Sequence, residues 1–174
     1  MEGEPVELYL YDLSGGLAKQ FSPLILGKQL DWIPHTSVMA FGREYYFGGG
    51  ICVSDILDTP YGQPIKSYPL GTTYLSREDF EVFLGDISQK FSMATYDLFK
   101  NNCNNFSNEC TEFLLSKSIP AEILHLPQEV LATPMGQSLM QMMGGAMFDP
   151  RALEGENNPQ QMHFGQQSQN SGSK

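Results

Sequence analysis

Val6, Leu8 and Leu10 alternate with Glu7, Tyr9 and Tyr11, and Ser14-Gly15-Gly16 breaks the run, so residues 6–13 are predicted to form a strand. Residues 17–30 are mixed and hold a short helix, with the apolar run Leu24-Ile25-Leu26 ending at Gly27. Residues 35–41 and 44–47 read as a β-hairpin. Gly42-Arg43 is its expected two-residue turn, with glycine supplying the positive φ of a type II′ turn. Gly48-Gly49-Gly50 ends the second strand, and a Pro- and Gly-rich loop is expected over 58–71. The clearest helix covers 76–91: Ser76 is a good N-cap with Asp79 three residues on, and Phe80, Phe83, Leu84 and Ile87 share one face. Residues 95–99 suit a short strand or turn. A second helix is predicted over 103–115, with Phe106, Cys110, Phe113 and Leu114 on one side. Pro127 and Pro134 each fit the first turn of a further short helix, Thr133 can cap the second, and Gly144-Gly145 stops it. From about Ala146 Asn, Gln, Gly and Ser dominate, and 157–174 reads as a flexible tail.

The 174 residues suffice for one domain with a core, and 41% hydrophobic content argues for a globular body. No apolar run is long enough to span a membrane, and the acidic start lacks the features of a signal peptide, so an intracellular protein is expected. A formal net charge of -10 with no basic stripe argues against nucleic acid as a partner. Three cysteines, Cys52, Cys103 and Cys110, without a secretion signal argue against a disulfide framework. They lack CxxC spacing and the three histidines are scattered, so neither a zinc site nor any cofactor is expected. The thiols are free to do chemistry.

Cys103 lies between small polar residues in Asn101-Asn102-Cys103-Asn104-Asn105, where a helical pattern begins. A helix N-terminus favours thiolate over thiol, and its backbone N–H groups can receive a developing oxyanion. The competing reading is a buried, inert cysteine. Cys110 falls on the apolar face between Phe106 and Phe113 and reads as core, and Cys52 also reads as structural. A nucleophilic cysteine needs a base. His163 lies in the tail and His125 between two leucines near Pro127. His35 opens a strand, which would hold a base rigidly, although a hydrogen-bonded structural histidine fits that position too. For a third group to orient the imidazole, Asn101, Asn102, Asn104, Asn105 and Asp97 all stay open, and Gln29 and Trp32 are near His35 in sequence only.

The segment Tyr96-Asp97-Leu98-Phe99-Lys100-Asn101-Asn102-Cys103-Asn104-Asn105-Phe106-Ser107-Asn108-Glu109 resembles the cysteine motif of the PPPDE family, and His35-Thr36-Ser37 resembles its histidine motif. Tyr9-Leu10-Tyr11-Asp12-Leu13-Ser14, Leu26-Gly27-Lys28-Gln29-Leu30, Phe47-Gly48-Gly49-Gly50-Ile51 and the stretch from Leu126-Pro127 to Thr133-Pro134 fit as well. The resemblance spans about 5–145 and leaves 146–174 as the tail. It implies an α+β, permuted papain-like fold, with an antiparallel sheet packed against helices, the histidine on a strand and the cysteine at a helix N-terminus. It implies a dyad carried here by Cys103 and His35, and hydrolysis of the isopeptide bond between SUMO and a substrate lysine. Ubiquitin-conjugated and palmitoylated proteins are the further substrates it implies, with a homodimer whose groove lies between subunits, in cytoplasm and nucleus. One departure is Pro34, where the family has an aromatic residue directly before the histidine; here Trp32 stands two residues earlier. It bears on substrate choice more than on chemistry.

Three functions compete: an isopeptidase, a palmitoyl-protein thioesterase using the same dyad, and an adaptor module without turnover. A ubiquitin-like tail ends in Gly-Gly and needs a narrow channel, which Gly48–Gly50 could line, although a strand end explains that run better. The apolar spacing of Ile123, Leu124, Leu126, Val130 and Leu131 suits core packing, and also an export signal of the kind the resemblance suggests.

Overall fold

The computed structural model describes residues 2–142 and 159–165. Five strands, β1 (Glu4–Asp12), β2 (Pro34–Ala40), β3 (Arg43–Phe47), β4 (Ile51–Ser54) and β5 (Lys66–Thr73), form one antiparallel sheet in the order β4-β3-β2-β1-β5. The helices are α1 (Leu17–Leu26), α2 (Arg77–Ile87), α3 (Cys103–Leu115), α4 (Ala121–Leu124), α5 (Leu126–Leu131) and α6 (Pro134–Met142). The α+β reading holds.

The alternation seen in β1 decides which side of the sheet is the core. Val6, Leu8 and Leu10 join Val38 and Ala40 of β2, Tyr45 and Phe47 of β3 and Ile51 of β4. Phe80 and Leu84 of α2 and Phe106, Cys110 and Leu114 of α3 close this layer. Each of these large side chains is removed from water almost entirely, a gain of roughly 1.5–3 kcal/mol apiece. The α2 start is as its sequence requires: Ser76 and Asp79 form a reciprocal capping box. Thr133 Oγ1 accepts from Gly136 N at 3.0 Å at the head of α6, and Pro127 stands in the first turn of α5. The predicted stop at Gly144-Gly145 lies outside the described residues. Ile123 is fully buried in the core, so packing explains its place in the apolar spacing of that region.

Three expectations are corrected. The β2–β3 turn is Phe41-Gly42, because Ala40 pairs with Arg43; φ is 52° and 69° at the two turn residues, which is the type I′ pattern. Phe41 occupies a left-handed conformation that its sequence does not advertise. The Pro- and Gly-rich stretch carries strand β5 in its second half. Pro69 and Gly71 are tolerated there because β5 is an edge strand, and the register slips between Val6 and Glu7, which face Gly71 and Pro69. Within the stretch expected to be a flexible tail, residues 159–165 are laid along β4, with Cys52 and Gln161 as bridge partners. The 95–99 region resolves as a single 3-10 turn, Met93–Thr95, followed by a bridge between Asp97 and Asn101.

Candidate active site

Cys103 is the first residue of α3 and is 4% exposed. Its position is set by the asparagines around it. Asn102 is the N-cap, its Oδ1 accepting from Asn104 N at 2.9 Å and Asn105 N at 3.1 Å, while Asn105 Oδ1 accepts from Asn102 N at 2.9 Å. Asn101 donates to the carbonyls of Lys90 and Thr95, and Asp97 accepts from Phe99 N and Lys100 N. Those four side chains build the turn and the cap.

Asn104 is different, because it reaches the sheet. Its Nδ2 donates to the Pro34 carbonyl at 3.2 Å, and its Oδ1 lies 2.8 Å from Thr36 Oγ1 and 3.8 Å from Cys103 Sγ. Thr36 Oγ1 is also 2.8 Å from Ser107 Oγ. The Thr36 proton goes to Asn104 Oδ1, which can only accept, so Ser107 donates, either to Thr36 Oγ1 or to the Thr36 carbonyl at 3.3 Å. This buried network rivets the head of α3 to the start of β2. Cys103 Sγ comes to 4.0 Å from the Pro34 carbonyl, the group bonded to the nitrogen of His35.

His35 is fully buried at that end of β2. Thr36 reaches α3 through Asn104 and Ser107, and the imidazole of His35 is held in an aromatic wall. There Tyr61 stacks on it, with centroids 3.6 Å apart and planes 23° apart, and Tyr11 and Tyr46 stand at 5.9 Å. Tyr11 is His35's register partner across β1–β2. Beside this wall the carboxylate of Glu44, itself fully buried, accepts from Tyr11 OH, Ser37 Oγ and, at 3.0 Å, Leu57 N. Burial and then the bonded Glu44 push the Tyr11 phenol well above its usual range; burial does the same to Tyr46. Both phenols stay protonated and act as donors.

The remaining candidates lie elsewhere. Burial pushes the Cys52 thiol up to about 11, and the Cys110 thiol well above its ordinary value, which fits two inert core cysteines. His125 is exposed at the α4–α5 junction, and His163 is exposed in the strap along β4. Gly48 N–H donates to the Gly50 carbonyl at 3.0 Å, so the glycine run is the β3–β4 turn. Gln29 donates locally to the carbonyls of Lys19 and Leu30, and Trp32 packs on the core. Tyr11, Tyr46, Tyr61 and Glu44 were missed by sequence reasoning. Only Glu44 carried a signal, as a charge heading the apolar Tyr45-Tyr46-Phe47. Among the described residues no three His, Cys, Asp or Glu side chains converge to hold a metal, and no helix is long and apolar enough to cross a membrane.

The arrangement is a thiol at a capped helix N-terminus, pinned to a strand end that carries a buried histidine. The model of the PPPDE putative peptidase domain matches residues 4–144. Desumoylating isopeptidase 1 of Homo sapiens is 43% identical over 148 residues, 84% of this chain and 88% of that protein. The Xenopus laevis protein of the same name is 43% identical over 147 residues, 83% and 87% of the two chains. A DeSI-like protein of Arabidopsis thaliana is 31% identical over 132 residues, covering 70% of this chain and 54% of its own. This chain therefore belongs to the PPPDE peptidase family.

Proposed function

We propose that this protein is a cysteine isopeptidase that removes SUMO, or a related ubiquitin-like modifier, from substrate lysines, with Cys103 as nucleophile and His35 as general base. The observation that carries the reading is the seat of Cys103, at the first turn of α3 and tied through Asn104 to the Pro34–His35 backbone. Relatives named for desumoylation, 43% identical over most of the chain, support the substrate class.

His35 takes the thiol proton and Cys103 attacks the carbonyl of the modifier's terminal glycine. The amides of Asn104 and Asn105 are committed to the Asn102 cap, so the helix donor at the developing oxyanion is the Cys103 backbone N–H. The tetrahedral intermediate collapses, His35 protonates the departing lysine amine, and a thioester remains on Cys103. Water, activated by His35, hydrolyses it and releases the modifier and free thiol. In this reading the Tyr61 stack and the Tyr11–Tyr46 wall restrain the imidazole.

The test is hydrolysis of a SUMO–lysine isopeptide conjugate by wild type, Cys103→Ala, His35→Ala and Cys110→Ala. Loss in the first two variants with activity kept in Cys110→Ala is the expected result. Cleavage that survives Cys103→Ala removes the nucleophile assignment. A wild type that spares the conjugate yet turns over a palmitoyl thioester moves the substrate class to acylated proteins.

A further inference from the structure

The segment 159–165 lies beyond the residues that the family model matches, and the mechanism above does not use it. It runs antiparallel to β4, an edge strand whose outer backbone groups need partners. Val53 N–H donates to the Gln160 carbonyl and Met162 N–H to the Ile51 carbonyl, both at 2.8 Å. Met162 and Phe164 pack against the core, and Phe164 sits so close over α2 that a Cβ on Gly85 would lie 3.4 Å from its Cδ1. A Cβ on Gly50 would lie 2.7 Å from Gln161 Nε2. The strap is therefore fitted to this sheet edge at both ends.

Its Gln160 side chain reaches the wall around His35. The Oε1 atom accepts from Tyr46 OH, and Nε2 donates to the Asp58 carbonyl at 2.7 Å. Tyr46 is one of the rings against the imidazole. Asp58 belongs to the loop that carries Tyr61, the stacked ring, and a second tie between that loop and the wall runs from Leu57 N to Glu44. One amide thus bridges two parts of the wall that strand β3 and the loop present separately.

We infer that Gln160 is a positioning residue for the His35 imidazole, acting through Tyr46 and the Tyr61 loop when the 159–165 strap is docked on β4. The inference rests on the assignment of Cys103 and His35 as the reacting pair. Stacking restrains the tilt of a ring but little of its in-plane slide, so the loop that carries Tyr61 contributes to its register beside the Tyr11 and Tyr46 rings. Gln160 ties that loop to Tyr46 by a donor and an acceptor that belong to one rigid amide.

The experiment uses the full chain and measures kcat and KM on the SUMO conjugate, with the rate of Cys103 alkylation by iodoacetamide in parallel. Gln160→Ala lowers kcat about tenfold and leaves KM within about twofold, as expected for a small misplacement of a reacting group. Gln160→Glu keeps the shape and the acceptor for Tyr46 but cannot donate to the Asp58 carbonyl, and it shows the same loss. A wild-type kcat in Gln160→Glu overturns the inference, as does a loss of thermal stability in both variants with kcat intact. If wild type spares the conjugate, the proposed substrate class fails, and alkylation decides: a slower Cys103 in Gln160→Ala supports positioning and an unchanged rate overturns it. Cleavage that survives Cys103→Ala overturns the reacting pair and the positioning role with it.

Discussion

Replacing Asn104 by aspartate changes one atom and tests the rivet between α3 and β2. The Oδ1 contact with Thr36 survives, but an oxygen replaces the Nδ2 that donates to the Pro34 carbonyl at 3.2 Å. Losing that donor and opposing two acceptors costs about 1–3 kcal/mol of stability, since the site is buried. The charge has a second effect, because Oδ1 is 3.8 Å from Cys103 Sγ. Two unit charges about 4 Å apart repel by about 1 kcal/mol in bulk water and about 4 kcal/mol at an effective dielectric of 20. Forming the Cys103 thiolate beside the introduced carboxylate is harder by an amount within that range. Since about 1.4 kcal/mol is tenfold, alkylation of Cys103 by iodoacetamide slows roughly fivefold or more at neutral pH. The loss relative to wild type fades as pH falls and the new carboxyl takes up its proton. Asn104→Ala separates the two effects, because it breaks the rivet and brings no charge. Mass-resolved alkylation beside urea unfolding reads both quantities. A folded Asn104→Asp protein whose Cys103 reacts at the wild-type rate would refute the placement of this side chain against the thiol.

Phe106→Ala removes a fully buried ring between α3 and the sheet and lowers unfolding stability by about 3–5 kcal/mol in urea titrations. A loss below about 1 kcal/mol would deny it that core place. The Cys52 thiol, pushed from 9.0 up to about 11, keeps its proton in the folded state where the unfolded chain releases it. Its contribution is present below pH 9.0 and is lost as pH climbs through that window, by about 3 kcal/mol, so Cys52→Ala flattens the alkaline fall in stability. Tyr61→Phe keeps the ring stacked on His35 and retains kcat, whereas Tyr61→Ala lowers it on the order of tenfold; equal behaviour of the two would show that the stack does not restrain the imidazole.

The parts of this fold legible in the sequence were those whose signals are local. The helix 103–115 is written in the spacing of Phe106, Cys110, Phe113 and Leu114, and the strand alternation of Val6, Leu8 and Leu10 names its own core face. Ser76 and Asp79 announce a helix start regardless of what surrounds it. The failures were all decided by partners. Pro69 and Gly71 forbid a central strand but not an edge strand, and only the sheet order reveals that β5 is an edge. The β2–β3 turn moved by one residue because the pairing of Ala40 with Arg43 sets it, and that outweighs the preference of Phe41 for negative φ.

The same distinction explains the site. Cys103 and His35 could be proposed as nucleophile and base because those roles are recognised by residue type, helped by motif resemblance. Five polar side chains around them looked equivalent as candidates to orient the imidazole. Four are consumed in local turns and caps, and only Asn104 crosses to β2, where it binds the Pro34 carbonyl rather than the ring. What surrounds the imidazole is aromatic: Tyr11 from β1, Tyr46 from β3 and Tyr61 from a loop, residues far apart in sequence that any core could use. The phenols of Tyr11 and Tyr46 are tied by Glu44 and Gln160, one from a strand and one from a stretch whose Gln- and Asn-rich composition reads as disorder. Composition averages over a window, whereas docking on an edge strand needs only a few anchors, here Met162, Phe164 and two backbone hydrogen bonds. A short strap can therefore be ordered within a tail whose average says otherwise, and the residues packed around His35 are the ones a linear reading is least able to find.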